Sequence, residues 1–564
     1  MTIRTQVIWT ALVFLAVSVI VVGVRPLVPP DEVRYGIIAA EMAETGQWFS
    51  LRMAGFHYYE KPPLGMWLMA ASMQVFGENA VALRLPSVLA TCVTAVVAGW
   101  LAVRITARRE IGLAASLVQS TTLGPLVLGS VASLDPIFSA FVALALGACF
   151  GASTSAGRAQ FKWLALAGLS AALAFLTKGV LGLAVPAGTV LAFLLWERRY
   201  SDLWRFAWVP SLAAVLAIGP VALAIHRSEP RFWESFIMIE HVRRFSSPDA
   251  NQHTQPWWYL IALFPVGGVF WALLWPRVIG SLGQARSQST GALTPGMRYC
   301  ICWIVVPLVA LSLSSGKVAT YVLPLYAPLA VLVTVAIFSA HASGKLVAGV
   351  PERIGRALLR TLAACALVLA VVGGEAFGFT PLWSTHATLR WIALSAALLV
   401  WAQLDVHSWR ASSAALWVTR MATAPVAVLM MIPFLYPDAF VRQSQLPWTA
   451  LEDHSRSLGE ARTLVTTAQL GHCVSWVTHR RDIVIAGAPG EFDNELEMPV
   501  DRARIIAWSA VAAEIARGDD VAIVATVDAA AHLRSLGALP EPSTLEVRGD
   551  LAIARFNRPT RARN

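Results

Sequence analysis

Long uninterrupted apolar runs dominate this chain. Runs near the length that crosses a bilayer core, about 20 residues, fall at roughly 7–24, 83–105, 110–129, 134–153, 161–177, 179–196, 204–226, 256–276, 298–314, 319–340, 357–376, 388–404 and 414–435. They predict an α-helical integral membrane protein with about thirteen transmembrane helices. Very tight connections join 161–177 to 179–196 and 298–314 to 319–340. The first run follows Arg4 and ends at Arg25-Pro26 without a small-residue cleavage site, so it reads as an uncleaved span.

After about residue 441 the pattern changes to that of a small soluble α/β domain. Short β-rich runs occur at Thr463–Thr467, Ile483–Ala486, Val521–Val527 and Leu551–Phe556. Helical stretches are expected at Asp501–Arg517, closed by Gly518, and at Ala529–Leu536. The predicted domains are therefore a membrane domain, 1–440, and a C-terminal domain, 441–564. The latter shows no catalytic motif, and its point changes are expected to be mild.

Composition supports lipid as the main solvent. Charged residues make up 14% of the chain and hydrophobic ones 57%; soluble domains carry about 25% charged residues. The net charge of +10 would suggest nucleic acid in a soluble protein. Here the basic residues gather in alternate short loops, while the carboxylates of the membrane part gather in the others. That asymmetry places the N-terminus in the cytoplasm and the first long loop outside. An odd number of spans then places the C-terminal domain outside as well. The six cysteines show no zinc-finger spacing, and Cys473 stands alone in the C-terminal domain.

The first outer loop, about 25–82, is long for a membrane bundle, and long loops in compact folds tend to be functional. It opens Pro29-Pro30-Asp31-Glu32-Val33-Arg34-Tyr35. The segment 32–44 is amphipathic, with Val33, Ile37, Ile38 and Met42 on one face, and reads as a helix lying in the membrane interface. Asp31 falls at its N-cap position. A second short helix is expected from Pro63 to Phe76, stopped by Gly77. His57-Tyr58-Tyr59-Glu60-Lys61 precede it. Other outer segments add Asp135-Pro136, Lys178 in a tight turn, Glu240, His241, Arg243, Arg244 and His253, and Lys317 through Pro324.

Asp31-Glu32-Val33-Arg34-Tyr35, then Tyr59-Glu60-Lys61-Pro62-Pro63, then Leu134-Asp135-Pro136, then Lys317-Val318-Ala319-Thr320-Tyr321-Val322-Leu323-Pro324 resembles the polyprenol-dependent GT-C glycosyltransferases. Within them the chain looks most like the 4-amino-4-deoxy-L-arabinose lipid A transferases. The resemblance implies an inverting pentosyl transfer from undecaprenyl phosphate to a lipid A phosphate. It places that chemistry at the periplasmic face of a bacterial inner membrane, where the product confers resistance to polymyxin and cationic peptides. Asp31 and Asp135 become the catalytic candidates. Arg34, Tyr58, Tyr59, Lys61, Arg243, Arg244, Lys317 and Tyr321 become the phosphate and substrate candidates. Each also has a plainer reading: a helix cap for Asp31 or Asp135, snorkelling for Arg34 or Lys61, interface anchoring for the tyrosines, a turn residue for Lys178. No cofactor is required. Glu60 and His241, with His57 nearby in sequence, are the candidate ligands if a divalent metal such as zinc is bound.

The expected partners are the lipid-linked donor, lipid A and membrane lipid. Neither nucleic acid nor a nucleotide sugar is expected, since the outer loops carry no glycine-rich nucleotide cradle. Two alternatives stay open. Another sugar, such as mannose, is transferred to protein or polysaccharide, or the chain flips a sugar-linked lipid. A transporter tends to place its ionisable groups near the midplane and to show inverted repeats. Here the charges cluster at the outer edge, without a repeat.

Overall fold

A computed structural model describes residues 27–238, 254–268, 271, 293–314, 316–342, 413–419, 421–422, 448–492, 498–530 and 539–556. The predicted spans at 7–24, 357–376 and 388–404 lie outside these residues, as does most of 414–435. The chain forms two compact units: residues 1–24, 84–223 and 241–435 in one, and 25–83, 224–240 and 436–564 in the other.

The first unit is helical. Six described stretches, Ala80–Thr106, Leu134–Ser153, Gly157–Lys178, Tyr200–Ser228, Pro295–Leu313 and Ala319–Ala342, are long and apolar enough to cross a membrane. Leu181–Trp196 is shorter, and Tyr259–Gly267 is the described part of the run predicted at 256–276. The run predicted at 110–129 is not one helix. It divides into Arg109–Thr121 and Leu123–Leu128, because Thr122 is extended (φ −72°, ψ 134°). The run at 319–340 begins as a 3₁₀ turn, Ala319–Leu325, which contains Pro324, and continues as the α-helix Tyr326–Ala342.

With lipid outside, close packing must come from small residues and a few interior hydrogen bonds. Gly99 and Gly112 face each other, so that a Cβ on either would lie 2.7–2.8 Å from the carbonyl oxygen of the other. Buried Tyr299 packs edge-on against Phe193 and donates to Leu146 O at 2.6 Å.

The second unit joins the first loop to the C-terminal domain. Strands β1 (Arg52–Met53) and β2 (Phe56–His57) form a hairpin in the loop. Its two-residue turn, Ala54-Gly55, has φ of 53° and 81°, the twist that matches paired strands. The C-terminal domain holds β3 (Thr463–Thr466), β4 (Val484–Ala486), β5 (Ile505–Ile506), β6 (Val521–Thr526), β7 (Thr544–Arg548) and β8 (Leu551–Phe556) in the order β5-β4-β3-β6-β8-β7. The first four are mutually parallel, and β8 and β7 close the sheet antiparallel. Val465, Ile523 and Phe556 pack under the helix Trp508–Ala516 through Val511 and Ile515. Arg555 grips both oxygens of Asp520 at 2.9 and 2.7 Å, tying the end of β8 to the start of β6.

Three sequence expectations are corrected. The helix expected over Asp501–Arg517 breaks into Pro499–Arg502, β5 and Trp508–Ala516, because the β-branched pair Ile505-Ile506 pairs with β4 instead. Asp31 is not an N-cap: Pro30 holds that position, and Asp31 is the first residue of the helix Asp31–Thr45. The apolar face of that helix is covered by protein. Val33, Ile37, Ile38 and Met42 are buried, and Gly36 lies against Trp476 of the helix Ala468–Thr478. Amphipathic spacing reports that one face is buried, not what buries it. The second loop helix, Leu64–Phe76, forms as expected and ends at Gly77.

Candidate functional site

In the helical unit, the chemistry collects at one end of a helical hairpin. Leu134–Ser153 and Gly157–Lys178 are antiparallel neighbours joined by a short turn. The start of the first helix therefore lies beside the end of the second. Asp135 sits in the first turn, where amide dipoles favour an anion, and Lys178 sits in the last turn, where carbonyls favour a cation. Gly179, at φ 93°, then turns the chain sharply toward Leu181.

Asp135 and Lys178 form an ion pair with side chains only 15% and 11% exposed. The Lys178 ammonium also lies 4.5 Å from the centre of the Tyr321 ring, a cation–π contact. These groups line a depression whose other walls are mostly apolar, among them Phe138, Leu181, Val185, Pro307 and Leu311. Thr320 lines it too, and its hydroxyl oxygen is buried with no hydrogen-bond partner among the described residues. A charged pair, a phenol and an orphan hydroxyl in an apolar recess suit a polar headgroup on a lipid chain.

Lys317 does not join them. Its side chain is buried and donates to Gln255 O at 2.8 Å, beside a bridge between Thr254 and Gly316. The sequence marks Lys178 as a turn residue; the pairing of two helix ends brings it to Asp135.

In the second unit, Asp31 is 56% exposed and lies 3.8 Å from the Arg34 guanidinium, whose side chain is only 12% exposed. Glu60 and Lys61 are half-buried at the end of the hairpin segment. Tyr58 is buried, and its backbone N–H donates to Leu51 O. The Tyr59 hydroxyl donates to Glu229 at 2.6 Å, so the phenol is engaged by protein. Burial, then the hydrogen bond to the Glu229 carboxylate, raises the Tyr59 pKa well above the ordinary phenol value. Arg243, Arg244 and His241 lie outside the described residues. Among the described residues, no group of three acidic, His or Cys side chains is placed to hold a metal ion.

A second polar cluster surrounds the loop hairpin. Glu229 accepts from Arg52 at 3.1 Å and from Ser50. Asp501, from the C-terminal domain, accepts the backbone N–H of His57 at 3.1 Å, and both its oxygens lie 3.0 Å from the His57 ring Nδ1. At the hairpin tip, Arg504 donates to Ala54 O at 2.8 Å and stacks 4.2 Å above the Phe56 ring. Glu41 accepts the Gly55 N–H at 3.0 Å. Sequence reading missed Arg52, Glu229, Asp501 and Arg504, which no local motif marks.

Burial raises the Glu41 pKa, outweighing the Gly55 hydrogen bond and the attraction of Arg481, Arg504 and Arg52. A carboxyl whose folded pKa exceeds its unfolded value of 4.5 costs stability progressively as pH rises from 4.5 through the folded value. Glu41→Gln keeps an acceptor for Gly55 and removes that cost. The variant should melt above wild type at pH 8 and together with it near pH 4.5. Equal melting temperatures at both pH values would contradict this assignment.

A family model described as dolichyl-phosphate-mannose-protein mannosyltransferase matches residues 5–236. A second, described as the arabinosyl transferase ArnT C-terminal domain, matches residues 442–555. An undecaprenyl phosphate-alpha-4-amino-4-deoxy-L-arabinose arabinosyl transferase of Erwinia tasmaniensis is 32% identical over 491 residues, covering 86% of this chain and 86% of the relative. The protein of the same name from Shewanella sediminis is 30% identical over 552 residues, covering 98% of each. The crystal structure of ArnT from Cupriavidus metallidurans bound to undecaprenyl phosphate shares the fold. Its TM-score is 0.77 at 20% identity, and the match covers 98% of each chain.

Proposed function

Since the chain belongs to the undecaprenyl phosphate-α-4-amino-4-deoxy-L-arabinose arabinosyl transferases, we propose that it moves that aminosugar from undecaprenyl phosphate to a lipid A phosphate. It is a multi-pass membrane protein, and we place the reaction at the periplasmic face of the bacterial inner membrane. The observation that carries the reading is the largely enclosed Asp135–Lys178 pair beside Tyr321 in an apolar recess.

In the proposed step, an anionic oxygen of the lipid A phosphate attacks the anomeric carbon. The bond from that carbon to the donor phosphate oxygen breaks, and undecaprenyl phosphate leaves with the electron pair. The configuration at carbon inverts. Positive charge builds on the sugar as the leaving bond stretches, and fixed carboxylates stabilise it. In the helical unit Asp135, paired with Lys178, is the candidate for that role and Tyr321 the candidate phenolic donor; in the second unit Asp31 is the candidate carboxylate, and Arg34 and Lys61 are the candidate cations for the donor phosphate. The product carries an added ammonium, which offsets lipid A's negative charge and weakens electrostatic binding of cationic peptides such as polymyxin.

The match of residues 5–236 to a protein mannosyltransferase model favours a second reading, sugar transfer to a protein hydroxyl. Purified protein in detergent, given the lipid-linked aminosugar and lipid A, separates the possibilities. Covalent aminoarabinosyl lipid A is expected by mass spectrometry. Product only with a protein acceptor would select the second reading. Absence of any covalent product in detergent would favour a flippase, which needs a bilayer.

The phosphate role has its own test. Losing one charge-assisted hydrogen bond costs roughly 1.5–3 kcal/mol, about tenfold or more in affinity. Lys61→Ala and Arg34→Ala should each bind undecaprenyl phosphate at least about tenfold more weakly while inserting normally. Wild-type binding by both variants would remove these cations from the site.

A further inference from the structure

We propose that Asp501, from the C-terminal domain, is a positioning residue for transfer, fixing through His57 the loop segment that presents Lys61 to the donor phosphate. The inference rests on the donor-phosphate role proposed for Lys61.

The segment 57–63 is held at points close to Lys61 on both sides. His57 is anchored twice by Asp501, through its backbone N–H at 3.1 Å and its ring Nδ1 at 3.0 Å. Both side chains are buried, at 7% and 4% exposure. Two residues on, the Tyr59 hydroxyl is held by Glu229 at 2.6 Å. Glu229 itself is fixed by Arg52 and Ser50. Just after Lys61 come Pro62 and Pro63, which restrict the backbone as it enters the helix Leu64–Phe76. Lys61 is thus suspended between an anchored stretch and a stiff one.

The chemistry of the anchor calls for a carboxylate. One group accepts the His57 backbone N–H and at the same time lies against its ring Nδ1, in a buried place beside the Arg52 guanidinium, which lies 3.0 Å from the same nitrogen. The first loop supplies no such group there; the acceptor comes from 444 residues away. Asp501 belongs to the short helix Pro499–Arg502, outside the cluster of Val465, Val511, Ile515, Val521, Ile523 and Phe556 that forms the domain's own core. Its carboxylate reaches the loop from outside that core. Arg504, three residues on, grips the hairpin tip at Ala54 and Phe56 in the same way.

The test uses full-length protein in detergent with wild type, Asp501→Ala, His57→Ala, Lys61→Ala and the double variants Asp501→Ala/His57→Ala and Asp501→Ala/Lys61→Ala. Undecaprenyl phosphate binding, donor and acceptor KM, and hydrogen exchange are measured. Asp501→Ala should weaken undecaprenyl phosphate binding and raise donor KM by about tenfold, leaving acceptor KM unchanged. Exchange should rise in residues 52–61 and stay slow in β3 and β6. Asp501→Ala/Lys61→Ala should be no worse than Lys61→Ala, because a misplaced lysine and an absent one lose the same contact. His57→Ala cuts the contact from the loop side, so it decides the matter even if Asp501→Ala disturbs the domain. Losses that multiply in Asp501→Ala/Lys61→Ala, or His57→Ala with wild-type donor KM, would overturn the proposal. A wild-type protein that binds undecaprenyl phosphate yet transfers no aminosugar would sink the proposed function alone. The binding and exchange measurements would still decide the role of Asp501.

Discussion

Lys178→Met should abolish most transfer, by about a hundredfold or more, and also lower the melting temperature. Both effects come from one event. The Asp135 carboxylate is 15% exposed, and Lys178 is its ion-pair partner. Removing one member of a largely buried pair leaves an uncompensated charge, a change that costs about 3–5 kcal/mol in comparable sites. In the proposed mechanism Asp135 must stand where positive charge builds on the sugar, and without Lys178 nothing fixes it there, so its electrostatic contribution should go with the pair. The two effects separate in the double variant Asp135→Asn/Lys178→Met. With no charge left to bury, it should regain much of the lost stability, as replaced buried pairs often do, and stay inactive. A double variant that is both stable and active would make the pair a packing device. Wild-type turnover in Lys178→Met would remove it from the chemistry altogether.

The pair also shows what a sequence can carry. Asp135 was legible, because Leu-Asp-Pro opens an apolar run at an outer boundary. Lys178 was not, because a lone lysine in a turn has many dull explanations. The missing information was that the two runs form one antiparallel hairpin, so that the start of one meets the end of the other. The six described helices long enough to cross a membrane were readable by length and hydropathy, since lipid allows little else than a complete helix to cross it. Where that rule failed, Thr122 is buried in protein and Ala319–Leu325 is buried at Val322–Leu325 and lines the recess at Thr320 and Tyr321, places where irregular backbone is tolerated.

The C-terminal sheet was half legible for a related reason. Strands β3, β4, β6 and β8 are apolar runs with mostly buried residues. Strand β7 is an edge strand with Leu545 and Val547 exposed, and β5 is two residues long. Strand β7 does alternate polar and apolar residues, but over only five positions, and β5 is too short to show any period. The C-terminal domain shows no catalytic motif in its sequence, and nothing there marks Asp501, whose partner lies 444 residues earlier. No periodicity reports a contact of that span.

Asp31→Asn is the cleanest probe of the chemistry, because the structure gives Asp31 so little else to do. The carboxylate is 56% exposed, stands one residue inside the cap position, and lies 3.8 Å from Arg34. Its dipole interaction at the start of a helix is worth about 0.3–1 kcal/mol, so the melting temperature should hardly move. If the carboxylate steadies charge at the anomeric carbon or pairs with the sugar ammonium, single-turnover transfer should still fall by about a hundred- to a thousandfold. The pH profile then distinguishes this role from that of a base. An alcohol acceptor needs its proton removed, and an enzyme base would impose a falling limb on the acid side. A lipid A phosphate monoester is already anionic, with a second ionisation near about pH 6. Wild-type rates between pH 8 and pH 6.5 should therefore follow the ionisation of the phosphate, with no separate enzyme limb. An Asp31→Asn enzyme with full single-turnover activity would take Asp31 out of the mechanism. An enzyme-base limb that persists after correction for phosphate ionisation would point to a hydroxyl acceptor, and so to sugar transfer onto protein or polysaccharide.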